Sequence, residues 1–188
     1  WLRVLRQGSL SINDRCGMHI HLSVKAFDKD LLFKFIKFIY NNKDFTFLIS
    51  GRGEIAFNQW SAIPNKTFQN EKYWKEMTRG IYSGSYGVSK LSAITSNCNG
   101  TTIELRIFSS TKKPAVFWKN LEFCDCVYHF CKQVDSSEDL TVQNIINFVL
   151  LKRNIYKNLV SILKVKGFFT NLPAMTSANC LLGEKVSV

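Results

Sequence analysis

The sequence predicts a mixed α/β (α+β) fold in which an antiparallel sheet is backed by helices. Two separate segments, residues 17–23 and 102–107, alternate apolar and polar side chains, which is the period of a strand with one buried face. Apolar residues elsewhere recur at helical spacing, most regularly over residues 29–41 and 114–134. An Asn-Gly pair at residues 99–100 favours a tight turn just before the second strand segment. Together these patterns indicate helices packed against a small sheet.

Local start and stop signals predict where the helices begin and end. Asp28 is a candidate N-cap for a helix over residues 29–41. Pro114 is suited to open a long helix that reaches residue 134. Either Asp139 or Thr141 caps a helix over residues 142–153, and another helix over residues 158–165 stops at Gly167.

The stretch between the two strand segments has weaker signals. Residues 45–50 are predicted as a strand or a short helix that ends at the Gly51-Arg52-Gly53 turn. The remaining predictions are an irregular stretch at 55–70, a short helix at 72–79, a Gly/Ser-rich loop at 82–87, and antiparallel strands at 89–96 and 101–108.

The chain is basic, and its charge allows a function other than catalysis. It has 25 Lys and Arg against 14 Asp and Glu, for a formal net charge of +11. Such a balance is typical of proteins that bind nucleic acid or another anionic partner. The lysines are scattered rather than grouped in blocks, which favours solvated helix faces. A basic, non-catalytic binding module for nucleic acid or an anionic partner is therefore the alternative function.

Neither a membrane span nor a disulfide framework is predicted. No apolar run reaches the roughly 18 residues of a membrane-spanning helix, so we expect no membrane partner and a cytoplasmic location. The six cysteines lack the paired spacing of a disulfide-stapled scaffold. Cys124 and Cys126 would point about 200° apart on one helix, so they cannot bind one zinc ion together.

The polar faces of the two strand segments carry the candidate functional residues. His19, His21 and Ser23 share one face of the first strand, and Glu104 and Arg106 share one face of the second with Thr102. Imidazole and carboxylate groups bind divalent metals, and a guanidinium binds phosphate. The residues therefore suit a cleft for a metal ion and phosphate, although an alternating strand with a merely solvated polar face is the commoner case. Cys16 is an additional metal candidate beside these histidines.

These two segments resemble motifs of glutamine synthetases. Residues 17–23, Gly-Met-His-Ile-His-Leu-Ser, resemble the G-M-H-x-H-x-S strand, and residues 103–108, Ile-Glu-Leu-Arg-Ile-Phe, resemble the I-E-x-R-x-P/F strand. The whole spacing is more similar to the amidoligases, a carboxylate–amine ligase family of the glutamine-synthetase-like superfamily. Their pattern of R-C-G-x-H-x-H, an apolar helix, G-R, R-Y-x-A-V-N and T-x-E-x-R-I-F-x-x-T is matched from residue 15 to residue 111, and the resemblance extends to about residue 165.

The resemblance implies an ATP-dependent ligase that forms an amide or peptide bond through an acyl-phosphate. It implies a curved antiparallel sheet that forms a catalytic bowl backed by helices. The cofactor would be Mg²⁺ or Mn²⁺, with ATP as cosubstrate and a carboxylate and an amine as substrates. The implied roles are metal binding for His19 and Glu104, catalysis for Glu104 and Arg106, nucleotide or phosphate binding for His21, Ser23 and Arg106, and substrate binding for Arg52, Arg79 and Lys90.

The chain departs from the family pattern in three ways. Lys90 stands where the family has Arg, which keeps the charge but loses the bidentate fork, and Thr95 stands where the family has Asn. No G-x-E-x-E strand precedes residue 15, so we expect the remaining metal ligands in an N-terminal portion of the same enzyme. We therefore expect one partial domain over residues 1–188: a catalytic sheet with inserted helices at 15–111, a helical part at 112–170, and a peripheral tail at 171–188.

Overall fold

The computed structural model describes residues 16–63, 71–83, 92–96 and 101–169. These residues form a mixed α/β structure that is mostly helical, with one antiparallel three-stranded sheet. The strands are β1 (Gly17–Ser23), β2 (Ile94–Ser96) and β3 (Thr102–Ser109). The helices are α1 (Lys29–Asn41), α2 (Lys43–Ser50), α3 (Glu54–Trp60), α4 (Glu71–Ser83), α5 (Pro114–Gln133), α6 (Val142–Leu151) and α7 (Lys157–Val165), with short 3₁₀ helices at Val24–Ala26 and Ser137–Asp139.

Strand β3 lies in the middle of the sheet, between β1 and β2, and pairs antiparallel with both. The predicted antiparallel pairing of the segments on either side of residues 97–100 is thus confirmed for residues 94–96. The turn itself and residues 89–91 lie outside the described residues. On β3 the alternating residues Ile103, Leu105 and Ile107 are buried, as the strand pattern predicts.

One irregularity interrupts the pairing of β1 with β3. Met18 pairs with Phe108 and Ile20 pairs with Leu105, so His19 alone lies opposite both Arg106 and Ile107. The extra residue therefore belongs to β3, and it makes a β-bulge. Beyond the bulge the alternation changes phase, which is why Ile107 and Phe108 are both buried although they are consecutive.

The predicted helix caps at Asp28 and Thr141 are confirmed. The Asp28 carboxylate accepts a hydrogen bond from the backbone N–H of Leu31 at 2.8 Å, and α1 begins at the next residue, Lys29. The Thr141 hydroxyl likewise accepts from the N–H of Asn144, so Thr141, and not Asp139, caps α6. Such caps can be read from sequence because both partners lie within three residues of each other.

The stretch before residue 63 agrees with its prediction up to Gly51 and differs after it. Residues 43–50 are helical, and α2 ends at Gly51, whose φ of 70° is the left-handed conformation that favours glycine. Residues 54–60, predicted to be irregular, form α3. Its Phe57 is buried and its ring packs edge-to-face on that of Phe47. Tertiary packing thus stabilises a helix that is too short to form alone.

A single hydrophobic core joins the sheet to the helices. Helix α1 packs against α4 and α5, and α5 also packs against α7. Edge-to-face ring pairs link these layers, for example Phe38 with Phe130 and Phe108 with Phe123. Within the described residues, no helix is long and apolar enough to span a membrane.

Candidate functional site

The structure brings His19, Glu104 and Arg106 into direct contact on the polar face of the sheet. His19 Nδ1 lies 2.6 Å from Glu104 Oε1, and Arg106 Nη1 lies 3.0 Å from the same oxygen. The other carboxylate oxygen, Oε2, accepts a hydrogen bond of 3.2 Å from the Thr95 hydroxyl. One carboxylate on the central strand therefore contacts side chains from all three strands.

The strand register explains this convergence. His21 on β1 and Thr95 on β2 both lie directly opposite Glu104, so the three residues form one row across the sheet. His19 lies two residues before His21 on the same face, next to the bulge. The sequence predicted that the strand alternation would place these polar residues together, and the contact between His19 and Glu104 agrees with that expectation.

The environment of the His19 imidazole favours its neutral form. Burial lowers the pKa of His19, and the nearby positive charge of Arg106 lowers it further, while Glu104 acts in the opposite direction. The contact with the carboxylate assigns the imidazole proton to Nδ1. The lone pair of Nε2 is then available to accept a proton or to bind a metal ion.

Arg52 approaches the cluster from the turn after α2, and most of its guanidinium is buried. Its side chain donates to two backbone carbonyls at the bulge, from Nε to Ile107 at 3.2 Å and from Nη2 to Arg106 at 3.4 Å. The Ser61 hydroxyl donates to the same Arg106 carbonyl at 2.8 Å. Burial, and then the charge of Arg106, lower the pKa of Arg52. The described contacts of Arg52 are thus with the protein backbone, although it was predicted as a substrate clamp.

The other predicted site residues are not drawn into the cluster. His21 and Ser23 are exposed on β1, where the register places them opposite Glu104 and Thr102. Arg79 is exposed on α4, and among the described residues no contact connects it to Glu104. Lys90 lies outside the described residues. The roles assigned to these four residues stay predictions.

The cluster contains two hydroxyl residues that the motif pattern did not identify. Thr95 was noted only as a departure from a family pattern, yet it donates to Glu104. Ser61 was placed in an irregular stretch, yet it donates to the bulge. The predicted pairing of strand 89–96 with strand 101–108 carried a signal for the first, since a polar residue in a paired strand shares a face with its partner. Nothing local indicated Ser61.

The side chains of this cluster that could bind a metal ion are the His19 imidazole and the Glu104 carboxylate. Because Nδ1 faces Glu104, Nε2 points away from that carboxylate, and the two residues could share one ion only if it replaced the Nδ1 proton. Among the described residues, no group of three or more His, Cys, Asp or Glu side chains is placed to hold an ion. Two protein ligands fit Mg²⁺ or Mn²⁺ that is bound mainly by phosphate oxygens and water, which is how Mg²⁺ commonly binds in nucleotide sites. They do not fit a self-sufficient structural metal site.

A separate cavity lies in the helical part, and several of its polar side chains make structural contacts. A cavity of about 150 Å³ lies where Asp28 and Lys34 of the α1 region meet Tyr128 and Cys131 of α5. Asp28 caps α1, Lys34 donates to the Val134 carbonyl, and the Tyr128 hydroxyl donates to the Ala26 carbonyl. The polar groups of Asp28, Lys34 and Tyr128 are therefore already engaged in contacts that shape α1 and hold it against α5.

Comparison of the chain with protein-family models, with curated proteins and with solved structures finds no match.

Proposed function

We propose that this chain carries part of the active site of an ATP- and Mg²⁺-dependent carboxylate–amine ligase. The observation that carries the proposal is the contact of His19 and Arg106 with Glu104 across neighbouring strands. These residues belong to the two motifs that resemble the amidoligases, and 85 residues separate the first of them from Glu104 in the sequence. In the same proposal, the three strands form part of a glutamine-synthetase-like curved sheet, whose concave face is the polar face.

In this function the three residues have distinct roles. A bound Mg²⁺ would neutralise charge on the phosphates of ATP. His19, through the nitrogen that faces Glu104, and the Glu104 carboxylate would hold that ion. Arg106 would direct its positive charge at the phosphate being transferred, where preorganised charge has its largest effect on rate. The neutral state of His19 suits metal binding, because a protonated imidazole has no free lone pair.

The proposed reaction has two steps. The substrate carboxylate attacks the γ-phosphorus of ATP, so that an acyl-phosphate forms and ADP leaves. The substrate amine then attacks the acyl carbon, so that the amide forms and inorganic phosphate leaves. Arg106 serves the first step by stabilising charge on the phosphoryl oxygens, and His21 and Ser23 would line the nucleotide side of the cleft.

Three lysines are not available to the alternative binding module. Lys37 and Lys119 are buried, and the Lys34 side chain is nearly so. Lys34 donates to the Val134 carbonyl, Lys37 pairs with Glu138, and Lys119 donates to the Ile49 carbonyl. These three charges hold helices together and are not displayed for a nucleic acid. Binding of RNA or DNA that weakens steeply with salt would support the alternative instead.

Metal binding in the presence of nucleotide tests the proposal directly. Free Mn²⁺ is measured by electron paramagnetic resonance while the chain is titrated with a non-hydrolysable ATP analogue. We expect Glu104→Gln to weaken Mn²⁺ binding at least about tenfold, because it removes the one charged ligand of the shell. Glu54→Gln, at an exposed position on α3, is the matched control and should bind as the parent does.

Two outcomes would count against the proposal. If the parent chain binds no Mn²⁺–nucleotide complex, the cluster is not the metal site of a ligase. If Glu104→Gln and Glu54→Gln bind equally well, the ion is held elsewhere. Trapping with hydroxylamine extends the test to the chemistry, since an acyl-phosphate formed from ATP and a carboxylate is converted to a coloured hydroxamate.

A further inference from the structure

The bulge in β3 accepts hydrogen bonds from a side chain that is distant in the sequence. Arg52 follows Gly51, which ends α2 in the left-handed backbone conformation. Only 7% of the surface of Arg52 is exposed. Its Nε donates to the Ile107 carbonyl and its Nη2 donates to the Arg106 carbonyl. These are the two residues of β3 that lie opposite the single residue His19 of β1. These carbonyls occur where the extra residue disturbs the ladder, so a side-chain donor takes over part of the bonding.

Gly17 leaves the space that this guanidinium occupies. A Cβ atom placed on Gly17 would lie 2.0 Å from Arg52 Nη2 and 3.2 Å from His19 Nε2. The φ of Gly17 is not positive, so the backbone conformation itself would accept other residues. The glycine is therefore required for space: the Arg52 guanidinium and the His19 ring lie over its α-carbon.

We propose that Arg52 is a positioning residue, which holds the bulge in place and thereby sets the Arg106 backbone and the His19 ring for the cluster, and that Gly17 is glycine to admit it. This role differs from that of a substrate clamp, because the bonds of Arg52 go to the protein. It also explains why the strand that carries the histidines begins with a glycine. The inference deepens the proposed function, but its geometry does not depend on ligase chemistry.

A double-mutant cycle tests the steric part of the inference. Arg52→Met removes the guanidinium and both of its bonds. Gly17→Ala places a methyl group where Nη2 lies, so it must expel the same guanidinium. We expect each single variant to lower the melting temperature by about 5–10 °C, since each loses two buried hydrogen bonds from a charged donor.

The double variant distinguishes a steric conflict between positions 17 and 52 from two independent losses of stability. Gly17→Ala with Arg52→Met should melt close to Arg52→Met alone, because no guanidinium remains for the methyl group to displace. Arg153→Met, which removes an exposed guanidinium, is the matched control and should leave the melting temperature unchanged. Losses that add in the double variant would overturn the inference.

The position of the His19 ring supplies a readout that a purely structural role would not move. The ring lies beside the Arg52 guanidinium over Gly17. Displacing or removing that guanidinium should therefore shift the ring-proton resonances of His19 and the backbone amide resonances of Arg106 and Ile107, measured by NMR at one fixed pH. Gly17→Ala and Arg52→Met should both shift them, and Arg153→Met should not.

Unchanged resonances of the His19 ring and of the bulge amides in both variants would refute the positioning role. If Arg52→Met does not fold, Gly17→Ala still gives the test, because it displaces the guanidinium without removing it. Neither the melting temperature nor the NMR spectrum requires ATP, metal or turnover. A failure of the ligase proposal and a failure of this inference are therefore distinguishable.

Discussion

Lys119 is a buried cation whose stability contribution should change sharply with pH. It lies on α5, it is only 2% exposed, and its ammonium donates to the Ile49 carbonyl at the end of α2, just before Arg52. The ammonium also lies 5.3 Å from the centre of the Phe108 ring. Burial lowers the pKa of Lys119 from 10.5 to about 8. The perturbation we consider is Lys119→Met, which keeps an unbranched apolar chain without the charge.

The magnitude follows from linkage between protonation and folding. Between pH 8 and pH 10.5 the unfolded chain holds the lysine proton and the folded chain has lost it, so Lys119 makes stability rise with pH in this window. A shift of roughly 2.5 units, at about 1.36 kcal/mol per unit, corresponds to about 3 kcal/mol over the full window. At pH 7 both states are protonated, and the whole cost of burying the charge is present.

Urea unfolding of the parent and of Lys119→Met from pH 7 to pH 9.5 measures this effect. The free energy of unfolding of the parent should gain about 2 kcal/mol on that of the variant over this range. The relevant quantity is the difference in unfolding free energy between the two proteins, because the buried thiols of Cys124, Cys126 and Cys131 also change stability with pH. Burial raises the pKa of these thiols, so the unfolded state loses their protons first and stability falls as the pH rises.

Lys72→Met, at an exposed position on α4, is the matched control and should run parallel to the parent at every pH. A constant difference between the parent and Lys119→Met would refute the reasoning, since it would mean that the ammonium titrates at its ordinary pKa. The Ile49 carbonyl and the Phe108 ring would then fully offset the cost of burying the ammonium.

Three other variants test the cluster and its surroundings. Glu104→Gln should lower the pKa of the His19 imidazole further, because Glu104 raises it in the parent, and NMR titration of the ring protons measures the change. Arg106→Ala should leave Mn²⁺–nucleotide binding largely intact and slow turnover by about 10²–10³, measured as hydroxamate formation. Parental turnover in this variant would mean that the Glu104–Arg106 pair is an idle surface pair. In a variant in which Cys98 and Cys180 are replaced by Ser, a thiol reagent should label the exposed Cys16 quickly, and it should label the three buried cysteines of α5 only on unfolding.

Much of the sheet and several helix ends could be predicted because their signals are local. The alternation of apolar and polar residues predicted β1 and β3 and placed His19 and Glu104 on one face. Asp28 and Thr141 predicted helix starts because each hydrogen-bonds to an N–H only three residues away. Gly167, with a φ of 80°, follows α7 as its turn signal predicts.

The features that escaped prediction depend on partners distant in sequence. The bulge is one: strict alternation places Arg106 and Phe108 on the same face, whereas the structure buries Phe108. Arg52 is another, because its acceptors lie 54 and 55 residues away. Helix α3 forms where neither length nor propensity favours one, and it forms because Phe57 fills the core beside Phe47.

The charge balance of the cluster bears on whether it is a binding site or an idle surface pair. The side chains of Glu104 and Arg106 are 16% and 18% exposed, so neither is a solvated surface group. Two arginines and one carboxylate leave a net positive charge, and among the described residues Arg52 Nη1 and Arg106 Nε are buried without a hydrogen-bond acceptor. Unpaired buried donors on charged groups cost stability, and a protein selected only for stability would tend to lose them. An oxyanion bound at this face would lower that cost by compensating the charge. The excess of positive charge therefore supports an anionic ligand here, as the ligase proposal requires.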